Sequence, residues 1–286
     1  MPKRFSSVVG RSFGDGVRDA IRSTGLTQRR IAGLLDWEEA KVSDLVRGKG
    51  GVTEVEVAML LGLCRVEAEE SRRLLALFKE TRERGALLFY DGGVPSQLQN
   101  LGKQERLADE IVVWSALLVP GLLQIAPYIR AVVQAAPLVK PDDVDAVVAA
   151  KLERQAVFHR SREFIFYIHE QALRLPVGGQ ELMREQVRHV LAMSVRPYIT
   201  IRVVPTNIGV HGGLGGSFVK LAYDKHEPAV FAETNDPGLI IEDKCSLAGY
   251  DAVLARLNRE ALDEDHSRTL IAGLLPDAPP ENVRPA

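Results

Sequence analysis

LTQRRIAGLLDWEEAKVSDLVRGK, residues Leu26 to Lys49, decides how the first part of this chain folds. Thr27 is placed to cap a helix that carries the apolar residues Ile31, Ala32, Leu34 and Leu35, of which Ile31 and Ala32 must be buried against the next helix. Asp36-Trp37 then breaks the pattern. Asp36 is the residue that must take left-handed backbone geometry there, a role Asp fills less well than Gly. A second helix, from Glu38 to Val46, buries Val42, Leu45 and Val46. The two helices cross at Ala32, where only a small side chain permits close approach. The outer face of the second helix is left for solvent or for a partner.

Before this pair, Val17, Ala20 and Ile21 line one face of a helix that Gly25 ends. Gly48, Gly50 and Gly51 form a loop, after which Thr53 and Glu56 have the spacing of a capping box for a helix through Leu63. A last helix over 66–84 turns Leu74, Leu75, Leu77 and Phe78 inward. Residues 1–85 are therefore expected to form an all-α domain of five helices. Asp91-Gly92-Gly93 and Pro95 are turn signals, and 86–102 reads as a linker. Residues 103–275 read as a larger α+β domain, a sheet covered by helices. Helices are expected over 103–114, 121–135, 141–159, 180–195 and 245–262, and strands over 164–168, 199–204, 217–223 and 229–234. The proline-rich stretch 276–286 reads as a frayed tail.

The bulk figures narrow the function classes. The 286-residue chain carries a formal net charge of −2, yet Met1–Gly50 holds ten Lys/Arg against six Asp/Glu. That asymmetry fits a nucleic-acid face at the N-terminal end. Cys64 and Cys245 are too few and too far apart for a disulfide framework or a metal site, and both are expected as buried small hydrophobes in a reducing, cytoplasmic setting. The longest apolar stretch, Ile111 to Leu123, contains Pro120 and falls short of the about 20 residues a membrane span needs. His-Glu-x-x-His, Cys-x-x-Cys and Gly-x-x-x-x-Gly-Lys-Ser/Thr are missing from the sequence, and no Gly-x-Ser-x-Gly stands as a nucleophile elbow, since the glycines of 10–16 follow no expected strand; neither catalysis, nor a metal, nor a cofactor is expected. His211-Gly212-Gly213-Leu214-Gly215-Gly216 is a glycine-rich loop between two expected strands. Its amides would cradle an anion, or let a ligand approach the backbone. Arg154, His169, Glu170, Arg174 and Glu233 are further candidates for lining a pocket.

Residues 11–85, through the stretch quoted first, resemble the lambda-repressor-like (XRE-type) helix-turn-helix domain. The resemblance implies that Gln28 clamps a DNA backbone and that Glu39, Ala40, Ser43 and Asp44 occupy base-reading positions. It also implies that Lys41, Arg47 and Lys49, with Arg29 and Arg30, supply cations to the phosphates. A major groove admits one such helix. Glu38, Glu39 and Asp44 depart from a cationic reading helix; Glu39 suits a cytosine amino group, and Glu38 suits the helix start. Behind it, residues 86–274 are similar to the C-terminal domain of actinobacterial regulators described as antitoxin-like or WhiJ-like. That similarity is carried by LLVPGLLQIAPYIRAVV, KLERQAVF, IHEQALRLPVGG, ITIRVVPTNIGVHGGLGGSFVKLAY and AVFAETNDPGLIIED, in this order. It implies a domain that senses a small-molecule ligand or pairs with a small protein encoded nearby. The expectation is a homodimeric transcriptional regulator that binds double-stranded DNA. The alternative is a protein-interaction module with a degenerate helix-turn-helix that sequesters a small partner without binding DNA.

Overall fold

The computed structural model describes residues 7–49, 51–81, 86–88, 96–159, 161–232 and 238–275. The first five helices are α1 (Val8–Ser23), α2 (Gln28–Leu34), α3 (Glu39–Val46), α4 (Glu54–Leu63) and α5 (Ala68–Glu80). Each start has a local cause where a side chain caps it. Ser7 Oγ accepts from Gly10 N at 2.9 Å and Thr27 Oγ1 from Arg30 N at 3.2 Å. Thr53 and Glu56 form the reciprocal capping box that their spacing predicts. Asp36 adopts φ 55°, the left-handed turn between α2 and α3. Phe13, Val17, Ile31, Ala32, Val42, Leu45, Leu60, Leu74 and Phe78 pack as one small core. Ile31 and Ala32 are buried as expected, while Leu34, the last residue of α2, is 49 % exposed.

The rest of the chain forms α6 (Ser96–Leu107), β2 (Glu110–Ser115), α7 (Ala126–Ala135), α8 (Val144–Glu153), β3 (Glu163–His169), α9 (Glu170–Arg174), α10 (Gln180–Met193), β4 (Ile199–Val204), β5 (Phe218–Ala222), β6 (Ala229–Ala232), β7 (Gly238–Ile241), α11 (Lys244–Glu260) and α12 (Glu264–Gly273). With β1 (Ala86–Leu88) they build, among the described residues, a seven-stranded mixed sheet in the order β1-β7-β6-β5-β2-β3-β4. β2, β3 and β4 run parallel, each pair joined by helices; the other neighbours are antiparallel. An α+β unit thus follows a helical one, as the sequence predicts.

Several boundaries move. The helix expected over 103–114 stops at Leu107, and Ile111–Trp114 is strand: a β-branched run, buried on both sides, that pairs with β3 and β5. The stretch 86–102, expected as a linker, supplies β1 and the first turns of α6. β7, α9 and α12 were not foreseen. Cys64 is buried as expected, whereas Cys245 is exposed on the first turn of α11. The tail 276–286, the rest of the linker (89–95) and Glu233 lie outside the described residues.

Period-two alternation gives the sheet two apolar faces. Ile111, Val113, Phe164, Phe166, Ile168, Ile201 and Phe231 meet Tyr128 of α7 and Met183, Val187 and Val190 of α10. Val112, Trp114, Tyr167, Phe218 and Val230 meet Leu247 and Leu257 of α11. The free edge of β4 is closed by the chain after α11 and by α12: Leu262 N–H donates to Val203 O, and Ser267 Oγ on α12 accepts from Val203 N, both at 2.9 Å.

α1 ties the two parts together. Val8 and Val9 in its first turn belong to the sheet core, while Phe13, Val17 and Ile21 belong to the helical core. Glu242, just after β7, accepts from Val8 N with both carboxylate oxygens, at 2.9 and 3.0 Å. Arg11 is buried, donates to Gln104 Oε1 from Nε (3.1 Å) and Nη2 (2.6 Å), and lies over the Tyr223 ring. Among the described residues, no helix is long and apolar enough to cross a membrane.

Candidate functional site

Two places deserve a functional reading: the outer face of α3 and the end of the sheet beneath the glycine-rich loop. α3 is buried on one side by Val42, Leu45 and Val46 and leaves Glu39 and Ala40 exposed, with Ser43 and Asp44 half-buried. Arg29 and Arg30 project from the start of α2 into solvent, and Gln28 is half-buried beside them. Asp44 is within 3.9 Å of Arg47 and 3.6 Å of Lys49, so two flanking cations offset the acid nearest the loop. Lys41 differs from the role the sequence suggests. Its Nζ meets Glu56 Oε1 of α4 at 2.5 Å and sits 4.6 Å from the Trp37 ring centre, which directs it toward its own domain. This pairing, with the Thr53 capping bonds, holds the Glu56 carboxyl down at about 2. Glu38 stands at the N-cap of α3 but its side chain makes no capping bond. The face is thus mixed in charge, with Glu38 and Glu39 acidic and Arg29, Arg30, Arg47 and Lys49 basic.

The second place lies at the carboxyl ends of β2, β3 and β4, where parallel α/β sheets bind ligands. There the structure gathers His169 and His211, which stack with centroids 5.2 Å apart, and Trp114, whose ring meets both edge-on. Each imidazole accepts a backbone N–H at Nδ1: Gln171 N to His169 at 3.2 Å, Gly213 N to His211 at 3.1 Å. Burial pushes both imidazoles below the ordinary histidine value. For His169 the neighbouring His211 pushes the same way, whereas Glu260 near His211 opposes. Both shifts favour the neutral ring, and with Nδ1 accepting, Nε2–H is the remaining donor of that form.

The loop itself is held at several points. Trp114 Nε1 donates to Gly213 O at 2.8 Å, and a Cβ at Gly213 would fall 2.3 Å from the indole, so only glycine fits against that ring. Gly212 N donates to Glu260 at 2.9 Å, and Glu170, paired with Arg174 on α9, accepts from Thr206 N at 2.8 Å. At Gly212 N the carboxylate that the loop meets comes from within the chain, from Glu260.

Gly212, Gly213, Gly215 and Gly216 line a cavity of about 540 Å³, together with Ser217, Phe218, Ala232 and α11 residues Ser246, Gly249, Tyr250 and Val253. Of the residues singled out from sequence, the four glycines line it directly and His211 adjoins it. His169 reaches it only through His211 and Trp114. Arg174 lies outside its lining and is half exposed. Arg154 is buried in a bidentate pair with Glu105, at 2.8 and 2.7 Å. It lines a separate polar chamber of about 60 Å³, which shares Ser217 and Phe218 with the cavity and is also bounded by Gln124. Gln124 Nε2 donates to Val119 O, and its buried Oε1 has no hydrogen-bond partner in the described structure. Sequence reasoning missed Trp114, Phe218, Gln124 and the whole α11 wall. Gly249-Tyr250, a glycine inside a helix beside an aromatic, was the available signal for that wall.

Residues 98–273 match the model of a family described as a domain of unknown function, DUF5753. No curated protein and no solved structure matches the chain.

Proposed function

Because the chain belongs to the DUF5753 family, whose domain here follows a helical unit that fits a helix-turn-helix-like fold, we propose that it is a sequence-specific DNA-binding regulator, acting as a dimer and controlled through its C-terminal domain. The observation that carries this reading is the α2–α3 pair. Asp36 supplies its turn, Ala32 its close crossing, and α3 presents Glu39, Ala40, Ser43 and Asp44 outward beside Arg29, Arg30, Arg47 and Lys49. One helix reads too few bases, and two copies would meet half-sites about 34 Å apart. Control from the C-terminal domain has a physical route in α1, whose first turn is packed in the sheet core. A ligand or small partner protein bound at the sheet domain that shifted Val8–Arg11 would move the helix on which the small core is built.

The test is salt-dependent binding of the full chain to duplex from upstream of its own gene, against a scrambled duplex, at about 50 and 200 mM salt. Arg29→Ala and Arg47→Ala are expected to weaken binding on every sequence and to reduce the salt slope by about 1 each. Glu39→Ala is expected to alter base preference by about 1–3 kcal/mol. A second reading, a binding module that sequesters a small protein and ignores DNA, is favoured by the inward pairing of Lys41 and by exposed Glu38 and Glu39. Undetectable duplex affinity at the lower salt would leave only that one standing.

A further inference from the structure

The glycine-walled cavity has the size of a small-molecule site, in a range of roughly 300–1,000 Å³. Its described lining has no charged side chain. The loop amides at Gly212, Gly213 and Gly216 already have acceptors, in Glu260, His211 and Gly213 O. An ionic ligand would therefore lose its hydration without gaining a counter-charge or a free row of amides. Five of the eleven lining residues are glycines and a sixth is Ala232, so much of the wall is bare backbone, which suits a flat face. Phe218 and Tyr250 close one side as an edge-to-face pair, centroids 4.8 Å apart, offering ring surfaces for stacking. Polar chemistry is confined to hydroxyls. Ser217 Oγ accepts from Ala116 N at 3.0 Å, which leaves its O–H to donate, and Ser246 brings a second hydroxyl from α11. The cavity is also preorganised, since the loop is fixed by Trp114, Glu260 and Glu170.

We infer that this cavity binds an uncharged, planar aromatic small molecule carrying a hydrogen-bond acceptor for the serine hydroxyls. This names the class of effector for the regulatory half of the function proposed above, and it rests on that half. Binding at the cavity is measured without DNA, so its failure is distinguishable from a failure to bind duplex.

The experiment uses the full chain and two probes with the same planar ring system and the same lactone carbonyl as acceptor, neutral 7-diethylaminocoumarin and the anion 7-diethylaminocoumarin-3-carboxylate. The neutral probe is expected to bind saturably, near one per chain, and the anion at least about tenfold more weakly. A Cβ at Gly249 meets nothing within 4 Å, so Gly249→Leu has room to fold while filling the cavity. It is expected to weaken the neutral probe at least about tenfold, while Gly273→Leu, equally open but on α12, leaves it unchanged. Should Gly249→Leu fail to fold, Ser246→Leu on the same wall decides. Equal affinity for the two probes, no binding of the neutral one, or folded cavity variants that bind as Gly273→Leu does would each overturn the inference.

Discussion

Glu242 holds a position that costs free energy, and its neighbours explain why it is kept. Burial pushes its carboxyl above the usual carboxylate range, against the pull of the Val8 amide and Arg11. A group raised in this way contributes stability that is complete below the ordinary value and is lost as the pH climbs through the raised one. Glu242→Gln keeps an acceptor for Val8 N–H and removes the buried charge. It is expected to match or exceed the parent in stability, with a flatter pH dependence. Glu242→Leu strands the amide and is expected to cost about 1–3 kcal/mol. Urea unfolding of the three proteins across the acid range distinguishes these outcomes; a glutamine variant as damaged as the leucine one would show that the charge itself holds α1. None of this was legible in the sequence. Arg11 and Glu242 are far apart in the chain, and nothing local marks either as buried. The partners of Arg154 and Lys41 were illegible for the same reason: a sequence displays a cation but not the carboxylate, Glu105 or Glu56, that the fold brings to it.

Among elements, the α2–α3 pair was readable because every signal in it is short-range: a cap, a turn residue and a four-residue apolar period. Its weak point is Asp36, at φ 55°. Glycine has no Cβ to strain there, so Asp36→Gly is expected to leave stability within about 1 kcal/mol of the parent or to raise it. Asp36→Val, β-branched in a left-handed conformation, is expected to lose more than about 1 kcal/mol. Midpoints of chemical unfolding check both, and equal tolerance of the two residues would contradict the turn geometry. Ile111–Trp114 failed as a sequence reading for a physical reason: a strand buried on both faces loses the alternation that identifies strands. The four strands that were foreseen each run through β-branched or aromatic residues between turn signals. Those missed, β1 and β7, are three or four residues long, and their pairing is set by register rather than by composition.

Across the whole molecule, the sheet end responds to acid in a direction the geometry fixes. His169 and His211 are both held below the ordinary imidazole value. Their contribution is complete above that value and is lost as the pH falls toward the depressed ones, since a proton on Nδ1 would confront the amide of Gln171 or Gly213. Thermal unfolding is expected to fall by a few degrees between about pH 7.5 and pH 5.5. The fall should be smaller in His211→Asn, and an equal fall in parent and variant would remove the pair as its cause. The architecture was legible in outline and the cavity only in its glycine half, because the opposite wall arrives from α11, well beyond the loop in the chain. α1, one rod of sixteen residues, is embedded at one end in each of two hydrophobic interiors. Neither interior can melt without unseating part of the other, so the segment acts as a common keel, and damage far out in the sheet is transmitted as lost cooperativity in the helical head.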